Sequence, residues 1–191
     1  MIYGERIRFR GVERTDLPTF VRWINDPEVL AGIGIYRPFS QAEEDGWFDE
    51  MLKHHPDEHV LAIEIRTQGE REGLVANDVT EPGAEGWKLI GSCGFFNLDH
   101  HNQSAEFGIN IGEKRYWNQG YGTEAVRLLV KYGFSTLNLH RIYLRVFETN
   151  PRAIRTYEKA GFTHEGRQRL AEFRDGKYID VLVMSILRDE F

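Results

Sequence analysis

The chain has a single cysteine, Cys93, in 191 residues. No disulfide can close within it and no cysteine-based zinc cluster can form, which excludes disulfide-stapled scaffolds and zinc fingers. Positive charge is also scarce: 24 Lys and Arg stand against 30 Asp and Glu, a formal net charge of −6. A general nucleic-acid binder needs a basic face to displace counterions from phosphates, so this balance argues against one. The same balance mildly favours a cationic substrate. No stretch approaches the ~20 apolar residues of a membrane span, and residues 1–10 carry no apolar signal segment. The expectation is a cytoplasmic protein with no membrane partner. Internal repeats and low-complexity tracts are absent too.

What remains is a mixture typical of a folded chain, 41% hydrophobic and 28% charged, of a length that suits one domain over residues 1–191. Residues 6–10 alternate apolar and polar about Ile7 and Phe9 and predict a strand. A helix follows from about Asp16 and stops at the breaker Asn25-Asp26-Pro27. Ser40 with Glu43 is a capping-box signature, and Trp47, Phe48, Met51 and Leu52 supply the apolar stripe of the next helix. Strands are expected at 60–66, 87–98 and 105–111, the last two joined by a turn at 99–102. Between them, residues 67–86 are polar and Gly-rich and read as an extended hairpin loop, long enough for a lid.

Farther on, Val126, Leu129, Val130, Gly133 and Leu137 fall at helical spacing. Residues 141–147 alternate as a strand and 151–160 form a short helix. Asp175-Gly176 between runs 170–174 and 177–187 is a two-residue hairpin turn. This order of elements predicts an α/β (α+β) fold, a mixed and largely antiparallel sheet flanked by helices.

Residues 109–126 carry the most chemistry. A strand ends at Ile111, a loop brings Arg115, and the turn Asn118-Gln119-Gly120-Tyr121-Gly122 opens a helix. A helix start has free N–H groups and partial positive charge, and glycines let an anion come close. The N–H groups from Gln119 through Gly120, Tyr121 and Gly122 to Thr123 could cradle a pyrophosphate, with Arg115 adding charge. A strand-to-helix turn that binds nothing is the alternative. No Gly-Lys-Ser/Thr follows, so a Walker loop is disfavoured, and the glycines do not match the dinucleotide fingerprint.

The run Tyr116-Trp117-Asn118-Gln119-Gly120-Tyr121-Gly122-Thr123-Glu124-Ala125 resembles the acetyl-CoA pyrophosphate loop of GNAT-type N-acetyltransferases. The likeness is to the branch that includes ribosomal-protein N-terminal acetyltransferases and spermidine acetyltransferases. Trp117 departs from the broad family pattern, which has Gln or Arg there, but is familiar in that branch. Two more blocks follow in family order. One is Leu139-His140-Arg141-Ile142-Tyr143-Leu144-Arg145-Val146-Phe147 with Asn150-Pro151-Arg152-Ala153 and Tyr157-Glu158-Lys159-Ala160-Gly161-Phe162. The other runs from Glu165-Gly166 to Phe173-Arg174-Asp175-Gly176-Lys177-Tyr178-Ile179-Asp180 and Met184. The likeness is close from about Ala105 onward and loose before it.

The resemblance implies acetyl-CoA as co-substrate, no metal, and an amine acceptor: a protein N-terminus, a polyamine or another small amine. A homodimer is compatible with the family. Acetyl transfer to an amine needs a deprotonated amine, a polarised thioester and a protonated leaving thiol. Glu106, where the family often places a carboxylate, is the candidate base, against an exposed strand glutamate. Tyr157 takes the family's general-acid position; a phenol of unperturbed pKa ~10 is protonated at neutral pH. Its alternative is a tyrosine packed on the sheet. Asn150 before Pro151 suits a helix cap and, in the family, also the cofactor. Asp180, on an otherwise apolar strand face, is a candidate for substrate binding.

The family parts the 105–111 strand from its neighbour by a bulge, leaving backbone donors at Ile109, Asn110 and Ile111 for the pantetheine arm and the thioester oxygen. Cys93 reads as a core thiol, and His54, His55, His59, His100 and His101 as surface residues. The acidic run Glu43, Glu44, Asp45, Asp49, Glu50 reads as a solvated helix face. Trp23, Trp47 and Phe48 read as core before pocket lining. A non-catalytic acyl-CoA-binding module is the rival function.

Overall fold

The computed structural model describes residues 1–67 and 86–191; residues 68–85, most of the stretch read as a hairpin loop, lie outside the described residues. Side-chain alternation builds the sheet. Strand β1 (Ile2–Tyr3) pairs with β2 (Ile7–Gly11), which turns Ile7 and Phe9 to one face and Arg8 and Arg10 to the other. β2 lies antiparallel to β3 (Leu61–Arg66), with Phe9 opposite Ile63 and Arg8 opposite Glu64. β4 (Trp87–Asp99) and β5 (Ser104–Ile111) follow as an antiparallel pair.

β6 (Arg141–Phe147) joins β5 in parallel, and β8 (Lys177–Leu187) and β7 (Thr163–Arg174) complete an eight-stranded sheet in the order β1-β2-β3-β4-β5-β6-β8-β7. The expected class holds: a mixed sheet in which β5–β6 is the parallel contact and the other pairs are antiparallel.

Each sheet face has its own apolar cluster. On one, α4 (Tyr121–Ser135) and α5 (Pro151–Lys159) lay Val126, Leu129, Val130 and Tyr157 over Ile63, Phe95, Ile142 and Leu144. On the other, α1 (Leu17–Ile24) and α3 (Gln41–Met51) pack Leu17, Phe20, Trp23, Phe48 and Met51 against Val60, Ala62 and Leu89, with the short α2 (Pro27–Leu30) adding Val29. Trp23 and Phe48 are therefore core residues, as read, and Cys93 is a buried thiol whose pKa burial pushes up. Among the described residues no helix is long and apolar enough to cross a membrane.

The second face also buries charge. Glu64 accepts from Arg8 (2.6 Å) and from Arg10 (2.8 Å), and Arg10 reaches on to Asp16 at 2.6 Å. Glu64 and Asp16 are 1% and 3% exposed, so burial is offset by multiple charge-assisted bonds that tie β2 and β3 to the start of α1.

The structure corrects four expectations. Leu137, read on the helical stripe, lies beyond α4, which ends at Ser135. The capping box of Ser40 and Glu43 forms, but α3 ends at Met51, and Leu52, as its C-cap, is exposed. Glu44 is not on a solvated face: with Phe48 and Met51 it lies on the buried side of α3, 3% exposed. β7 begins at Thr163 and not near Leu170. It is a mostly exposed edge strand, broken in register around Gly166 and Leu170, and buries too little to show apolar alternation.

Burial, with the nearby Asp45 charge, pushes the Glu44 carboxyl up from 4.5 to about 7. Its folded value lies above its unfolded one, so the fold keeps the proton more tightly. The stability this gives is full below pH 4.5 and is lost as pH rises through about 7. Glu44→Gln removes the ionisable group. Chemical denaturation should find the variant more stable than the parent by roughly 1–3 kcal/mol at pH 8, and by less at pH 5.

Candidate active site

The site begins where two strands part. β5 and β6 pair only at Ser104–Arg141, Ala105–Ile142 and Glu106–Tyr143. Beyond that, β5 stays on β4 as far as Ile111 and β6 stays on β8 as far as Phe147, so each strand keeps its outer ladder and loses its inner one. The strands splay as expected, but β5 pairs in unbroken register from Glu106 to Ile111. The extra residue lies on β4, between Phe96 and Asp99, where Asn97 adopts a left-handed φ of 53°. A cavity of about 590 Å³ fills the wedge, lined by Ile109, Asn110 and Ile111 on one side and Val146 and Phe147 on the other.

On the α4–α5 face the cavity meets a backbone cradle. Asn118 (φ 61°) and Gly120 (φ 86°) are both left-handed, which turns the chain sharply into α4, with Gly120 as N-cap. Gly120, Gly122 and Thr123 line the cavity at a helix start, an arrangement suited to an anion. The turn is held from behind. Arg6 donates to the Gln119 carbonyl at 3.2 Å and bonds Glu124 in the first turn of α4 at 2.8 Å. The Trp117 indole N–H donates to the Ile111 carbonyl at 2.6 Å, fixing the end of β5 to the same loop.

Beside the cradle, α5 presents Arg152, Arg155 and Lys159, all lining the cavity, with Arg152 stacked 3.4 Å from the Trp117 ring centroid. These three cations were not among the sequence candidates, although spacings of three and four residues on a helix already put them on one face. Asn150 caps α5, its Oδ1 accepting from Ala153 N–H at 3.1 Å, and lines the cavity as well.

Tyr157 sits beneath the fork. It is 8% exposed, with its ring against Phe107 (5.6 Å) and Phe162 (6.0 Å). Burial pushes its phenol up to about 12, so it carries its proton throughout the neutral range.

Glu106 lines the cavity from the opposite sheet face, by alternation with Phe107. It is held by Arg145 at 2.8 Å and by Asn97 at 3.0 Å, and its side chain is 14% exposed. Glu172 and the segment Val29, Gly32, Ile33, Gly34 line the cavity too.

Four sequence candidates do not line this cavity. Arg115 lies along a smaller cavity with Arg22 and Lys114, near Glu113 (3.5 Å) and Tyr116. The Gln119 side chain donates back to the Arg115 carbonyl at 2.5 Å, and the Tyr121 ring turns to Arg6. Asp180 accepts from Leu170 N–H and Arg167, both at 2.8 Å. Those bonds hold its carboxyl below the usual carboxylate range and pin the irregular stretch of β7.

The chain matches the acetyltransferase (GNAT) domain family over residues 6–163. It is similar to the uncharacterized N-acetyltransferase p20 of Bacillus licheniformis, 30% identical over 190 residues, covering 100% of this chain and 97% of the relative. It is 28% identical to spermidine N(1)-acetyltransferase of Vibrio cholerae, over 98% of this chain and 96% of that protein. The crystal structure of spermidine N-acetyltransferase from Vibrio cholerae in complex with CoA and spermine superposes with a TM-score of 0.80 at 26% identity, covering 98% of each chain.

Of the two cradle glycines, Gly122 lets folding be separated from binding. A Cβ at Gly122 would meet only ordinary contacts, at 3.8 and 3.9 Å, and alanine is the better helix former. Its methyl would nevertheless stand at the cradle. Gly122→Ala should leave the melting temperature unchanged or slightly higher and weaken coenzyme A by about tenfold in calorimetric titration.

Proposed function

Because the chain belongs to the GNAT acetyltransferase family, we propose that residues 1–191 act as one domain that transfers acetyl from acetyl-CoA to a primary amine by direct attack in a ternary complex. The observation that carries this reading is the split sheet: one cavity joins an anion cradle and a buried phenol on one face to a carboxylate on the other. The co-substrate supplies the acetyl group as a thioester. Its phosphates suit the Gly120–Thr123 cradle and the basic side of α5, and its amide-bearing arm suits the unpaired inner edge of β5. A backbone N–H near Ile109 to Ile111, residues that line the cavity, is the donor assigned to the thioester oxygen on this reading.

Tyr157, protonated and dry, gives its proton to the departing thiolate. Glu106 takes a proton from the acceptor ammonium, directly or through water, and the free amine that results attacks the thioester carbon. Two of the acceptor-side groups, Glu106 and Glu172, are carboxylates, with Arg145 balancing one of them. Similar proteins include spermidine acetyltransferases, so a di- or polyamine is the first acceptor to test and a protein N-terminus the second.

Calorimetric titration with acetyl-CoA, beside ATP and NAD, tests the donor, and thiol release over a panel of amines tests turnover. Selective acetyl-CoA binding with turnover is expected; binding without turnover would leave a non-catalytic acyl-CoA module. Tyr157→Phe should lower kcat by roughly a hundredfold with acetyl-CoA affinity unchanged. Titration of the phenol should cost the parent no activity until pH approaches 12. Glu106→Gln should lose most at low pH, and the loss should shrink as pH rises toward the acceptor's own pKa, where no base is needed.

A further inference from the structure

The segment from Ala31 to Phe39 joins α2 to the N-cap of α3 without regular structure. Gly32 N–H and Ile33 N–H close the last turn of α2 on Val29 and Leu30. Residues 34–38 then make no backbone–backbone hydrogen bond among the described residues. Asn25 fixes the far end by a two-way bond with the Phe39 backbone, at 2.7 and 2.9 Å. Between those points, Arg174 reaches over from the end of β7. Its Nη1 donates to the carbonyls of Leu30 (3.3 Å) and Ile35 (3.1 Å), and its Nη2 donates to that of Ile33. The guanidinium lies over the Phe147 ring at 4.7 Å, near Glu172 at 3.5 Å, and the side chain is 12% exposed.

One charged fork thus meets the last carbonyl of α2 and two carbonyls of a strap whose middle has no ladder of its own. The strap is also a wall of the site: Gly32, Ile33 and Gly34, with Val29 of α2, line the cavity together with Glu106 and Glu172. At the inner edge Gly32 passes so close to Asn150 that a Cβ there would stand 3.0 Å from its Nδ2. Phe147 shares a strand face with Arg145 by alternation, so Arg174 works from the Glu106 side of the sheet, away from the cradle. We infer that Arg174 is a positioning residue that fastens the acceptor wall of the cavity, setting how the amine is held without touching the acetyl donor. The inference rests on the acetyl-transfer reading of the cavity.

Arg174→Met keeps an apolar stem over Phe147 and removes every donor; Arg174→Lys restores the charge but not the fork. Amide exchange would be followed on peptides covering residues 27–39 and 121–135. Steady-state kinetics with spermidine, or with the best amine of the panel where spermidine is not turned over, would accompany acetyl-CoA calorimetry. In Arg174→Met, exchange in 27–39 should accelerate by about tenfold or more while that in 121–135 holds. KM for the amine should rise by about tenfold, with kcat and acetyl-CoA affinity within about twofold of the parent, and Arg174→Lys should lie between.

Unchanged exchange in 27–39 would overturn the fastening, whatever the kinetics. Faster exchange with an unchanged amine KM would overturn the link to the acceptor. If Arg174→Met does not fold, Arg174→Lys carries the same comparison with smaller shifts. Failure of the unsubstituted protein to bind acetyl-CoA would sink the acetyl-transfer reading and with it the acceptor role, and the exchange result would still decide whether Arg174 holds the strap.

Discussion

The site depends on a parallel strand pair that zips for three residues and then stops. A sheet normally leaves no backbone group unpaired inside it, because an unmet buried N–H or C=O is costly. Here β5 and β6 each keep a complete outer neighbour, so the split leaves both strands intact. The inner edges become a row of donors and acceptors facing a cavity. The Trp117 indole answers the Ile111 carbonyl at the open end of β5. An extended ligand with amide groups can serve the remainder, as a third strand would.

Charge is partitioned across the same split. Overall the chain is acidic, yet the α5 face of the cavity gathers Arg152, Arg155 and Lys159 beside a helix start. The other face offers Glu106 and Glu172. On the proposed reading, an anionic donor and a cationic acceptor are each drawn to a different side of one sheet, with the gap left for the reacting ends. Net charge alone could not reveal this, because the two fields nearly cancel in a sum over residues.

Legibility followed burial and local geometry. Ile7 and Phe9, the α4 stripe from Val126 to Gly133 and the Ser40–Glu43 box are patterns read over a few residues, and each stands where it was read; Leu137, read on the same stripe, lies beyond the end of α4. The cradle was legible because left-handed turns select Asn and Gly, at Asn118 and Gly120. β7 was half missed, because an exposed edge strand has no reason to alternate. Glu44 was misread as one of an acidic run, although it stands four residues before Phe48 and seven before Met51, the spacing that puts it on the buried stripe. Asp180 lies on β8 as an exception to an apolar pattern, and the exception has a local cause: Leu170 at φ 50° turns its N–H to that carboxylate. The strap of residues 31–39 has no periodicity, and its partner Arg174 is remote in sequence, so their meeting is a property of the fold alone.

Glu106 shows how far geometry constrains chemistry at the acceptor side. Both of its oxygens are engaged, one by Arg145 and one by Asn97, which the β4 irregularity turns inward. An ammonium group that reaches Glu106 therefore replaces one cation with another and does not approach a bare carboxylate. The exchange is close to neutral in charge, so its free energy turns on how easily Arg145 leaves. That side chain is 58% exposed, against 14% for Glu106, and its guanidinium can return to water at little cost. On the proposed reading of Glu106 as the base, a shielded carboxylate with an exposed partner favours an acceptor that brings hydrogen bonds at least as good as those of the arginine it displaces.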